Sequence, residues 1–278
     1  MSSISALTSQ FVGALFGNQR RSDIPTTITN IAFGQEQEPA AAPVGPGEAV
    51  VALANATTGR ERDLEIISSR PTVQRTLDRF EAAVRNASSV EELLSDRDAL
   101  TVILTASGLE DLIDSPALLQ QALTSDRTDE TSLINRLART NIPLANLANR
   151  LQLDTAGLAV VQAESTIEAF RGDYLGTLRL QELGRTTPGL DRALQFQERA
   201  AQATRAIDVL GDPVLREVAL TVLGLPREIA LQPLESQERI IARGLDIARL
   251  QDPDYVEGLT RRFLIARNGL DPTALFRA

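Results

Sequence analysis

The sequence predicts an all-α protein, a multi-helix array of two related helical units behind a flexible N-terminal head and tether. Three observations predict it. Aromatic residues are only 4% of the chain, while Leu, Ala, Arg, Glu and Gln abound, a mixture that favours helix over the β-branched and aromatic composition of sheets. From Glu48 onward, apolar residues recur at helical spacing in segments separated by brief Gly, Pro, Ser or Asp signals. One capped helical phrase also occurs twice, at a constant separation.

In chain order, residues 1 to 17 carry Ile4, Leu7, Phe11, Val12, Leu15 and Phe16 among Ser, Thr and Gly. A secretory leader would open with basic residues, whereas Arg20 and Arg21 follow the apolar part. The stretch also falls short of the roughly 20 residues that span a bilayer. The head reads as an uncleaved export signal, as a short docking helix, or as a terminus packing on its own domain. Residues 22 to 47, with Pro25, Pro39, Pro43 and Pro46, form the tether.

Beyond it, Ser88 with Glu91 three residues on matches a capping box. Asp212-Pro213, Asp252-Pro253 and Asp271-Pro272 each place an acidic N-cap before Pro at the first helical position, where a missing N–H costs nothing. From Asp212 the helix presents Leu215, Val218, Ala219 and Val222 on one face, and Gly224 and Pro226 end it. Between Thr155 and Gly184 the stripe Ile167, Phe170, Tyr174 and Leu178 is helical, with a kink expected at Gly172 or Gly176.

Sliding residues 93–109 onto 209–225 gives seven identities in seventeen positions, at an offset of 116. Leu94, Asp96, Val102, Leu104, Thr105, Gly108 and Leu109 fall on Leu210, Asp212, Val218, Leu220, Thr221, Gly224 and Leu225. The offset extends upstream to Phe80 and Phe196, and downstream to Ile113/Ile229, Leu118/Leu234 and Gln121/Gln237, before a small deletion is needed. The reading is an internal duplication. It sets domains at 1–47, 48–153 and 154–278, and predicts similar helix arrangements in 60–113 and 176–229.

The chain has no His, Cys, Trp or Lys, so all 28 basic residues are Arg. This removes thiolate nucleophiles, His bases, Schiff-base Lys, Cys/His metal sites and Lys-bearing phosphate loops. A net charge of −9 with scattered Arg argues against nucleic-acid binding.

Asp252, Asp254 and Glu257 form the densest acidic group; a cation or acid–base site is weighed against a cap and first turn that favour negative charge, and the structural role is expected. Asp126, Asp129 and Glu130 make a second acidic loop without the Gly and terminal Glu of an EF-hand. Arg20-Arg21 and Arg261-Arg262 read as solvated faces. Phe80, Phe170, Tyr174, Phe196, Tyr255 and Phe263 read as core. No residue is assigned as catalytic, cofactor-binding or metal-ligating, and no cofactor is expected.

The ordered phrases Leu194-Gln195-Phe196-Gln197-Glu198-Arg199-Ala200, Val209-Leu210-Gly211-Asp212-Pro213-Val214-Leu215, Leu223-Gly224-Leu225-Pro226, Leu250-Gln251-Asp252-Pro253 and Arg261-Arg262-Phe263-Leu264 resemble a family of helical proteins of unknown function from alphaproteobacteria, often encoded among flagellar genes. The resemblance covers roughly residues 60–267 and leaves the head and tether outside it. It implies a setting, the bacterial flagellum, and no catalytic motif. Two readings follow: a non-enzymatic structural or assembly protein of the flagellum, located there or exported through its secretion channel, or a cytoplasmic helical adaptor, chaperone or regulator. Its partners would be other flagellar proteins, through the head. A carboxylate-dependent enzyme is the remote alternative.

Overall fold

In the computed structural model, the residues described are 44–138 and 141–269, all within the unit that runs from Pro43 to Ala278. The head, most of the tether, Arg20-Arg21 and the cap at Asp271-Pro272 lie outside them. Among the described residues every regular element is a helix.

Helix α1 (Pro46–Thr58) starts two residues before the expected Glu48, because the Glu48 carboxylate accepts the Gly45 N–H at 3.0 Å and closes the first turn. Helices α2 (Arg60–Ser68), α3 (Pro71–Asn86), α4 (Val90–Ser95) and α5 (Arg97–Ser107) follow. Helix α3 buries Val73, Leu77, Phe80 and Val84, a stripe at helical spacing. The cap before α4 is Ser89 rather than Ser88: its hydroxyl accepts the Glu92 N–H, and the Glu92 carboxylate reaches back to the N–H and hydroxyl of Ser88. Two adjacent serines let the pattern slip by one residue.

Next come α6 (Pro116–Leu123), α7 (Leu133–Ala138), α8 (Ile142–Leu151) and the single turn α9 (Leu153–Ala156). Helix α10 (Glu164–Thr186) runs uninterrupted through Gly172 and Gly176, so the segment that glycine content weakened is the longest helix described. Packing overrides propensity here: Ile167, Phe170 and Tyr174 are buried, and the Phe170 ring meets Phe80 edge-on at 6.4 Å. Helices α11 (Leu190–Arg199), α12 (Ala206–Gly211), α13 (Pro213–Val222), α14 (Leu234–Gly244) and α15 (Pro253–Asn268) complete the array.

Two buried clusters hold it together. One takes its residues from Ile67 to Tyr174, the other from Leu190 to Leu264 together with Ala49, Leu53 and Ala56 of α1. Relative to the boundary read at 153/154, α1 therefore joins the later cluster, packing on α15 and α11. Helix α10 serves both: Tyr174 and the residues before it enter the first cluster, and Leu180 and Leu183 pack on the second.

The 116-residue offset is visible in hydrogen bonds as well as letters. Helices α4 and α12 begin 116 residues apart, as do α5 and α13. Thr204 repeats Ser88, giving its N–H and hydroxyl to the Asp208 carboxylate, which repeats Glu92. Asp96 caps α5 through the Ala99 N–H, and Asp212 caps α13 through those of Val214 and Leu215. Gly108 and Gly224 both take positive φ, 67° and 63°, and the next N–H, of Leu109 or Leu225, returns to Leu104 or Leu220. That is the same Schellman ending twice. Downstream the alignment shifts. Helix α6 begins at Pro116 and α14 at Leu234, 118 residues apart, so Leu118 is the third residue of its helix and Leu234 the first.

Candidate interaction surface

Of the acidic residues singled out for chemistry, Asp126, Asp129, Asp252 and Glu257 are engaged locally. Asp252 accepts the Asp254 N–H and pairs with Arg249 at 3.0 Å, and the Arg249 guanidinium holds its carboxyl below the usual range. Glu257 pairs with Arg261 one turn on. Asp126 and Asp129 each accept an N–H and a hydroxyl two residues along, from Thr128 and Thr131, which are side-chain turn closures. Glu130 is exposed. Of the six aromatics, five are buried; Tyr255 is half-buried, its hydroxyl accepting the Asp246 N–H and its ring lying 4.5 Å from the Arg249 guanidinium.

Two further ion pairs, unread in the sequence, are shielded from solvent. Arg179 is 6% exposed; it donates to Asp63 on α2 and to the Ala56 carbonyl near the end of α1. Positions 63 and 179 are themselves 116 apart, so the two repeats meet through one equivalent position. Arg127 donates to both carboxylate oxygens of Asp154, to Asn149 and to Thr155. Burial pushes the Asp154 carboxyl up, but the Arg127 guanidinium outweighs it and holds the group below its ordinary value. This clamp closes the segment that carries α7 and α8.

That segment has no counterpart in the second repeat. Gln162 donates to the carbonyls of Val84 and Ala87, and Gln251 to those of Ala201 and Ala203. Ala87 and Ala203 are equivalent, so Gln162 matches Gln251 at an offset of 89, against 118 at the starts of α6 and α14. The deletion expected to be small is thus 29 residues.

The missing helix leaves a mark. In the first repeat, α8 buries Leu144, Leu147, Ala148 and Leu151, and contacts α5. Its Arg150 lies 3.8 Å over the Phe170 ring and pairs with Asp173 on α10 at 2.7 Å. Leu100 and Leu104 of α5 are fully covered. In the second repeat, Arg216 stands exposed at the place of Leu100, Leu220 is only half-buried at that of Leu104, and Arg262 stands exposed at that of Asp173. Beside this face is a shallow cavity of about 540 Å³, lined by Ala242, Arg243, Leu245, Ile247 and Tyr255. It adjoins the end of α13, because Gly244 also lines it and a Cβ there would meet the side chain of Leu223, the residue after that helix, at 2.6 Å. Its wall is the short connection standing where the first repeat inserts α7 and α8. The sequence signal for it was the unequal spacing of the two repeats.

Fold and surface together define an all-α protein of two related helical units, one complete and one with an uncovered face. The chain belongs to the family described as "Protein of unknown function (DUF1217)", whose model matches residues 106–256, inside the stretch that carried the resemblance. A crystal structure of an Agrobacterium tumefaciens protein is similar to it, with 25% sequence identity and a TM-score of 0.67 over 84% of this chain and 98% of that one. No curated protein matches it. Among the described residues no helix is long and apolar enough to cross a membrane.

Proposed function

We propose that this protein acts by protein–protein contact, as a non-enzymatic structural or assembly protein of the bacterial flagellum. The observation that carries the contact reading is the uncovered face of the second repeat, where the first repeat places a helix of its own. Engagement of Asp126, Asp129, Asp252 and Glu257 in caps, turns and ion pairs supports a non-enzymatic role. The flagellar setting rests on the ordered phrases between residues 194 and 264.

The test is an immunoblot of cytosol, periplasm, isolated basal bodies with filaments, and medium, in a normal strain and in one lacking the flagellar export ATPase. The expected result is protein in the flagellar or medium fraction only when export works. Protein confined to cytosol in both strains, and bound to an assembly component in a pull-down, supports the second reading instead: a cytoplasmic helical adaptor. A face that fits a single helix favours that reading. Protein bound to no flagellar component in either strain overturns both.

A further inference from the structure

We infer that the uncovered face of the second repeat receives one amphipathic helix from an acidic partner, seated as α8 sits on the first repeat. This rests on the contact reading above and names its ligand. The first repeat shows the shape required: apolar residues at the spacing of Leu144, Leu147, Ala148 and Leu151, three or four apart on one face. Charge supplies the rest. Where α8 brings Arg150 to Asp173, the second repeat offers Arg262, exposed and in no ion pair among the described residues. Arg216 and Arg243 are exposed and, among the described residues, likewise free of ion pairs; Arg216 donates to the Leu210 carbonyl. A helix that repeats the α8 pattern with Arg at its penultimate position would set guanidinium against guanidinium. One with a carboxylate there completes the pair, so the sign of the partner is set by the inversion between positions 173 and 262.

The probe is a fluorescein-labelled, end-capped peptide of residues 141–152 carrying Arg150→Glu, compared with the unaltered peptide. Each is titrated with the full chain and with its Arg262→Glu variant, and binding is read by fluorescence anisotropy. Arg262 is exposed, so the variant keeps the fold, and far-UV circular dichroism checks this. The Arg150→Glu peptide is expected to bind the unaltered protein about tenfold more tightly than the Arg150 peptide, and the order to reverse on the Arg262→Glu protein. Equal binding of both peptides, a preference that Arg262→Glu leaves unchanged, or no binding of the Arg150→Glu peptide overturns the inference. Because fractionation reads the flagellar contact without the peptide, a silent peptide alongside export-dependent flagellar protein removes the inference and leaves the proposed function standing.

Discussion

Replacing glycine by alanine at three positions should change stability with opposite signs. At Gly108 and Gly224 φ is 67° and 63°, and a Cβ at either would meet nothing within 4 Å. No clash contributes, so the cost is the left-handed backbone itself, about 1–2 kcal/mol for a residue with a Cβ. Alanine also restricts the unfolded chain, which returns about 0.4–1 kcal/mol, leaving each variant less stable by about 1 kcal/mol. Gly172 lies exposed inside α10, with equally open space around its Cβ position. There alanine gains about 0.5–1 kcal/mol, because the helical backbone suits it. Urea unfolding followed by circular dichroism should show the first two midpoints falling by similar amounts and the third rising. Thermal midpoints should move by about 2–4 °C per kcal/mol. If Gly108→Ala or Gly224→Ala left the midpoint unchanged, or their costs differed by more than the effect itself, the claim that both helices end on one backbone motif would fail.

Arg179→Met should destabilise the protein by about 2–3 kcal/mol: the Ala56 carbonyl loses its donor, and Asp63, whose side chain is 34% exposed, keeps partial access to water. Calorimetry would check this, and a change below about 0.5 kcal/mol, the size of an ordinary surface substitution, would show the ion pair to be incidental. Asp208 has its carboxyl lowered to about 2, chiefly by Arg205 and then by the Thr204 N–H. A depressed folded-state value means that its contribution is complete above the unfolded value near 3.9 and is lost as pH falls through about 2. Carbon-detected NMR should place the Asp208 midpoint in that lower region and move it upward in Arg205→Ala; a midpoint at the ordinary aspartate value would contradict the geometry.

What was legible in the sequence was local. Asp212 and Asp252 cap helices as read, because a carboxylate before Pro leaves few alternatives, and Gly224 stops its helix because the backbone there turns left-handed. The duplication was legible for the same reason, since caps and stops persist where core residues drift, as Ala99 to Leu215. What escaped was long-range. Nothing near α1 reveals that Leu53 belongs with Phe263 rather than with Phe80. Arg179 looks like any helical arginine until the Ala56 carbonyl is placed beside it. The uncovered face showed only as a length difference, and Arg216 and Arg262 gain meaning only when set against Leu100 and Asp173. Tyr255 was read as core by its apolar neighbours, yet its hydroxyl turns toward the connection before α15.

The membership of α1 in the later cluster sets an order of events at the ribosome. Leu53 and Phe263 are packed in one cluster, so about 200 residues must be made after α1 before its core exists, roughly 10–40 s at 5–20 residues per second. During that interval the first repeat, from α2 to α10, can close on contacts already synthesised, while α1 waits with Ala49, Leu53 and Ala56 uncovered. Its docking on α15 then cannot precede the synthesis of that helix, and among the described residues it closes the longest loop. The earliest of the described helices is thus one whose place is finished late, and the second repeat becomes complete only after α15 has been made.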